Sequence, residues 1–156
     1  RGYCFGVGFE LSLACDFRIA TSTTLYALPE QKLGQIPGSG GSARLQKMVG
    51  VTRTKDIVMR SRRIPGKQAY EWGVATECVA DSHLEAATDT LVDELRAFSP
   101  LAQRTAKKLL NDTEDCTLAI AIELEGHCYS RLRSSHDFAE GVDAFHSKRR
   151  PDFTGE

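Results

Sequence analysis

Glu10 and Glu30 stand twenty positions apart, and each is attached to a glycine-rich turn of its own. Glu10 closes Gly6-Val7-Gly8-Phe9-Glu10 and opens an apolar stretch. Glu30 closes a strand-like run and precedes Gly34-Gln35-Ile36-Pro37-Gly38-Ser39-Gly40-Gly41. Carboxylates carried on two separately punctuated elements are the raw material for paired acid/base work, because neighbouring carboxyl groups titrate apart and one can keep a proton while the other accepts one. The rest of the chemical inventory is thin. His83, His127, His136 and His146 are too dispersed for a zinc site, so no metal is expected. No Ser-His-Asp arrangement can be argued, and Gly38-Ser39-Gly40-Gly41 lacks the spacing of a dinucleotide-binding loop.

The carboxylates need a scaffold, and the composition allows one. The chain has 156 residues, 41% apolar, with a formal net charge of −1. That is enough for a domain with a real core, and it gives no electrostatic footprint for general nucleic-acid or membrane binding. No run approaches the roughly 20 apolar residues that span a bilayer. Cys4, Cys15, Cys78, Cys116 and Cys128 lie in apolar contexts with no CxxC pair, which reads as reduced core thiols and a cytoplasmic location. The chain opens on Arg1-Gly2-Tyr3-Cys4-Phe5-Gly6 without an initiator Met, which reads as a piece of a longer one.

Short elements alternate first. Phe9 to Cys15 has a helical pattern, while Phe17-Arg18-Ile19-Ala20-Thr21 and Leu25-Tyr26-Ala27-Leu28 read as strands, the second stopped by Pro29. Ser42 to Val49 predicts a helix ended by Gly50, and Thr52 starts another through Met59. From Gly66 the pattern is mainly helical. Lys67 to Trp72 is a helix closed by Gly73, and residues 74–79 form a strand. Ser82-His83-Leu84-Glu85 is a capping box, Ser99-Pro100 starts a helix, a further helix runs from about Thr117 to Leu132, and Asp137 to Glu140 cap a last one. Residues 1–63 therefore read as an α/β part and 64–156 as a mainly helical region whose apolar faces need a partner.

In their order, Gly2-Tyr3-Cys4-Phe5-Gly6-Val7-Gly8-Phe9-Glu10-Leu11, Ala14-Cys15-Asp16 and Pro29-Glu30…Gly34…Ile36-Pro37-Gly38-Ser39-Gly40-Gly41 resemble the crotonase (enoyl-CoA hydratase/isomerase) superfamily, its hydratase branch most of all. Ala69-Tyr70-Glu71-Trp72-Gly73-Val74-Ala75 and Glu140-Gly141-Val142-Asp143-Ala144-Phe145 extend the resemblance over essentially the whole chain. A complete family member is considerably longer, so this stretch is similar to its C-terminal portion. The resemblance implies an α/β fold: a ββα spiral core in residues 1–63, then a helical trimerisation region in 64–156 that builds homotrimers or dimers of trimers. It also implies a lyase of fatty acid metabolism (beta-oxidation) that adds water syn across the 2,3 double bond of an enoyl-CoA thioester. Coenzyme A is then part of the substrate and no separate cofactor is expected.

The resemblance also implies roles. Glu10 and Glu30 match the two glutamates that hold one water, with Glu30 assigned as proton donor to the α-carbon and Glu10 as water activator. The Val7 N–H matches an oxyanion donor whose position usually carries glycine, so the valine adds bulk beside the thioester. The second oxyanion donor lies outside this stretch. The Gly38 N–H matches a position that helps to hold the water, and Phe145 and Lys148 match contacts to the adenine end of coenzyme A. Two alternatives stay open: an enoyl-CoA isomerase using one carboxylate as a proton shuttle, and a non-enzymatic relative that binds RNA through Arg53, Lys55, Arg60, Arg62 and Arg63. A thioester hydrolase fits less well, because that branch lacks a glutamate at the Glu10 position. Nucleic acid is otherwise not an expected partner.

Overall fold

The computed structural model describes residues 1–156, which fall into two compact units, Arg1–Thr90 and Leu91–Glu156. In the first unit, β1 (Tyr3–Phe5) leads into α1 (Val7–Leu13), followed by β2 (Ile19–Thr21) and β3 (Leu25–Ala27). A 3-10 turn (Glu30–Leu33) and α2 (Gly41–Met59) precede β4 (Ile64–Pro65), α3 (Gly66–Glu71) and β5 (Glu77–Val79). β1 runs parallel to β3, with Phe5 opposite Ala27, and β4 pairs antiparallel along the other side of β3. β2 and β5 form a separate parallel pair. Because β4 and β5 complete sheets begun before residue 63, this compact unit runs on to Thr90.

The sheets and helices close over Phe9, Leu13, Tyr26, Leu28, Leu45, Ile57, Ile64 and Val74, all buried. Each such side chain contributes about 1.5–3 kcal/mol by leaving water. The Phe9 and Tyr26 rings meet at 4.7 Å, which fixes α1 against β3. Arg18 ties the far end of α1 down, its guanidinium donating to the carbonyls of Ser12, Cys15 and Val74. It thereby satisfies acceptors that a helix leaves free at its C-terminus.

Gly50 interrupts α2 with φ 79° and ψ 164°, so the two helices expected on either side of it meet at a break. α4 (Leu84–Arg96) is entered from a 3-10 turn, Asp81–His83, in place of the expected capping box. Asp81 instead accepts hydrogen bonds from the Thr23 amide, the Thr23 hydroxyl and the Ser22 hydroxyl, across to the loop after β2.

The second unit is built from α5 (Pro100–Thr113), α6 (Leu118–Arg133) and α7 (His136–Ser147). Ser99 caps α5 as expected, accepting from the Ala102 amide with Pro100 in the first turn. The cap of α7 differs from expectation: Ser135 accepts from the Phe138 amide. Asp137 turns inward, only 3% exposed, and accepts from the Ser99 hydroxyl and the amides of Thr154 and Gly155. Glu140 holds the Arg149 guanidinium and the Asp152 amide. Two carboxylates that the sequence pattern assigns to a helix cap thus fasten the C-terminal tail to the helices, because tail amides reach them first. Leu118, Ile122 and Phe145 remain exposed.

All five cysteines are free, but they are not all core thiols. Cys15 and Cys116 are exposed near helix ends, their thiols donating to the carbonyls of Leu11 and Asp112, and the other three are half-buried. Burial pushes the Cys4 thiol up, away from reactivity.

Candidate functional site

The parallel pairing of β1 and β3 does the positioning. With Phe5 opposite Ala27, the two strands end side by side, and the Gly6 amide donates to the Ala27 carbonyl at 3.0 Å. Whatever follows each strand emerges at the same edge: Glu10 lies five residues past Phe5 and Glu30 three past Ala27. The twenty-residue separation in sequence is closed by one strand pair.

Gly6 makes the turn from β1 into α1 at φ 55°, a conformation that glycine adopts without strain. A side chain there would also place its Cβ 2.9 Å from Glu30 Oε1. The relation is repeated in reverse at Gly41, the first residue of α2, where a Cβ would stand 2.6 Å from Glu10 Cγ and 2.8 Å from its Oε1. Each carboxylate therefore lies against the bare backbone of a glycine that begins a helix, Glu30 at the turn into α1 and Glu10 at the start of α2.

Glu10 is 2% exposed, and its Oε1 accepts from the Ser39 amide at 2.8 Å and the Gly41 amide at 3.0 Å. Gly41 is the first residue of α2 and Ser39 lies just ahead of its N-cap Gly40, where unpaired N–H groups and the helix dipole favour an anion. Glu30 is held differently. Its Oε2 is shielded from solvent and has no hydrogen-bond partner, an arrangement that costs about 1–3 kcal/mol for a buried polar group. One carboxylate is thus clamped and the other carries a free oxygen.

Val7 is 68% exposed at the first turn of α1, where helix geometry leaves the N–H without an intrahelical partner. Gly38 is exposed in the loop between the glutamate turn and α2; the neighbouring Ser39 amide, not that of Gly38, reaches Glu10. Phe145 is 81% exposed on α7 and lines an apolar cavity of about 460 Å³ with Tyr129, Phe138, Val142 and Phe153. Lys148 ends α7 in a left-handed conformation, φ 54°. The strand pair brings Glu10, Glu30 and the Val7 turn to one edge; Phe145 and Lys148 belong to the second unit. Sequence reasoning missed Ser39 and Gly41 as partners of Glu10. Their signal was present in the glycine run, which allows backbone to approach a side chain closely, but the partner could not be read from it.

The basic cluster is largely engaged within the fold. Asp56 pairs with Arg60 and Arg62, both at 2.5 Å, and the Arg62 guanidinium beside it holds its carboxyl below the usual range. Arg53 and Arg62 stand 4.9 and 5.6 Å from the Trp72 ring centroid, and Arg63 lies over Phe5. No group of three His, Cys, Asp or Glu side chains is arranged to hold a metal ion, and no helix is long and apolar enough to cross a membrane.

A family model described as enoyl-CoA hydratase/isomerase matches residues 1–156. The chain is 37% identical over 156 residues to the enoyl-CoA isomerase/hydratase fer4 of Mycosarcoma maydis, covering 99% of this chain and 57% of that protein. It is 35% identical over 159 residues to the mitochondrial enoyl-CoA hydratase domain-containing protein 2 of Bos taurus, covering 99% and 54%. A crystal structure of enoyl-CoA hydratase from Bacillus anthracis superposes with a TM-score of 0.97 at 35% identity, over 99% of this chain and 60% of that one. The chain spans about half the length of the curated relatives it matches. The expected cytoplasmic location does not stand, because relatives from Arabidopsis thaliana, Bos taurus, Homo sapiens and Mus musculus are named as mitochondrial. Reduced thiols separate reducing from oxidising compartments, and they do not tell one reducing compartment from another. With its spiral of short strands and helices followed by a helical region, the chain belongs to the enoyl-CoA hydratase/isomerase family.

Proposed function

We propose that the protein to which this chain belongs is an enoyl-CoA hydratase, adding water syn across the 2,3 double bond of an enoyl-CoA thioester. The observation that carries the reading is the pair of glutamates delivered to one sheet edge, one clamped by two amides and one with an unpartnered oxygen. Glu10 takes a proton from the water as its oxygen bonds to the β-carbon, and Glu30 gives a proton to the α-carbon; one water is consumed, and a proton exchange between the two glutamates restores them. The Val7 N–H donates to the thioester oxygen as negative charge develops on it, the Gly38 N–H helps to hold the water, and Phe145 and Lys148 take the adenine end of coenzyme A. No cofactor is required beyond the coenzyme A of the substrate. The assembly is a homotrimer or a dimer of trimers, with the helical region supplying subunit contacts.

The test is turnover of crotonyl-CoA by the full-length protein, with NMR identification of the product. A 3-hydroxyacyl-CoA product is expected, and Glu10→Gln and Glu30→Gln each slow its formation by about 10²- to 10⁴-fold. Unchanged rates in both variants reject the two-carboxylate reading. A product with a migrated double bond, still lost in Glu30→Gln but retained in Glu10→Gln, identifies an isomerase with Glu30 as the shuttle.

A further inference from the structure

Gly41 has a backbone that any residue could adopt: it opens α2 and lies outside the positive-φ glycines. What a side chain there would meet first belongs to one partner. All three nearest atoms to a Cβ at position 41 belong to Glu10: Cγ at 2.6 Å, Oε1 at 2.8 Å and Cδ at 3.2 Å. The same residue donates its amide to Glu10 Oε1, and the Ser39 amide donates to the same oxygen. Gly6 is the counterpart against Glu30, but its φ of 55° makes any substitution there strained whatever the space. At Gly41 the steric and conformational effects separate.

We infer that Gly41 is a positioning residue for the hydration step: its missing side chain is the seat into which the Glu10 carboxylate is drawn by the Ser39 and Gly41 amides. This inference rests on the hydratase reading. A methyl group at position 41 keeps the N–H and the helix, so what must give way is the Glu10 side chain from Cγ outward, and the carboxylate moves with it. Displacing a reacting group by about 1 Å costs on the order of 100-fold in rate even when binding survives.

Full-length Gly41→Ala, Glu10→Ala and the double variant test it, with kcat and KM for crotonyl-CoA and thermal midpoints measured together. Gly41→Ala is expected to lose about 100-fold in kcat with KM within a few-fold of the parent. Glu10→Ala removes the atoms that clash, so adding Gly41→Ala to it costs nothing further in residual rate, and the double variant melts no lower than Glu10→Ala alone. If Gly41→Ala alone fails to fold, recovery of folded protein in the double variant supports the seat; failure of both overturns it. An equal loss from Gly41→Ala in both backgrounds, or full activity of Gly41→Ala, also overturns it. A parent without hydratase activity sinks the functional reading instead, and the thermal midpoints then still decide whether position 41 acts through Glu10.

Discussion

At the residue scale, the site depends on what glycine leaves out. Gly6 and Gly41 each allow a carboxylate to approach backbone that a Cβ would occupy, and the two Glu10 donors, Ser39 and Gly41, flank the N-cap of α2. Val7 is the contrasting case. It stands 68% exposed where the resemblance leads one to expect glycine, so in the proposed site its isopropyl group narrows the space beside the thioester. A second contrast lies away from the site. Ser61 adopts φ 48°, donating its amide to the Val58 carbonyl at 3.3 Å, in the turn that follows α2. An L-residue in that region costs about 1–2 kcal/mol, part of which glycine returns as unfolded-chain entropy. Ser61→Gly is therefore expected to stabilise the protein by about 0.5–1 kcal/mol, read as a higher urea midpoint. A lower midpoint would mean that the serine side chain contributes more than its backbone strain costs.

At the scale of elements, one parallel strand pair decides which parts of the chain meet. The glutamates reach the same edge because β1 and β3 end together, and α2 adds its opening amides to Glu10. The aim of α2 depends on Gly50, whose φ of 79° and ψ of 164° break the helix between Leu45 and Ile57, both buried in the core. That backbone region is essentially restricted to glycine and costs other residues about 1–3 kcal/mol. Gly50→Ala is accordingly expected to destabilise by about that amount in chemical denaturation, although alanine is the better helix former and a Cβ there would meet nothing within 4 Å. A neutral or stabilising result would show that the break can be straightened without disturbing the core. The helix start at Ser99 and the break at Gly50 were legible because caps and glycine act over three or four residues. β1 and the two-residue β4 were not, because strands that short carry no alternation and exist only through β3.

At the scale of the whole molecule, carboxylates in both units are held charged by the fold. The hydroxyls of Thr21 and Thr23 hold Asp81 down to about 2. The Arg149 guanidinium and the Asp152 amide hold Glu140 down to about 2. At Asp137 burial pushes upward, and the bonds from Ser99, Gly155 and Thr154 outweigh it, leaving the carboxyl below its usual range. Because these folded values lie below the unfolded ones, at about 4, the stability they contribute is fully present above that pH and is lost as pH falls toward 2. The expected outcome is a denaturant midpoint that is flat near neutrality with respect to these groups and declines below about pH 4, with early loss of amide protection at Asp152, Thr154 and Gly155 as the tail is released. Protection of those three amides unchanged at pH 2.5 would contradict the part given to Asp137 and Glu140.

Read alone, the chain supplied the family, the alternation of short elements followed by helices, the helix start at Ser99 and the two glutamates, because glycine turns, caps and apolar periodicity are local properties. Tertiary structure alone decided that Glu10 is clamped by the Ser39 and Gly41 amides while Glu30 keeps a free oxygen. It alone decided that Asp137 and Glu140 fasten the tail rather than cap α7, and that part of the basic cluster closes on Asp56 and Trp72. Each of these is a competition between a side chain and several possible partners, and only distance between elements remote in sequence settles which partner wins.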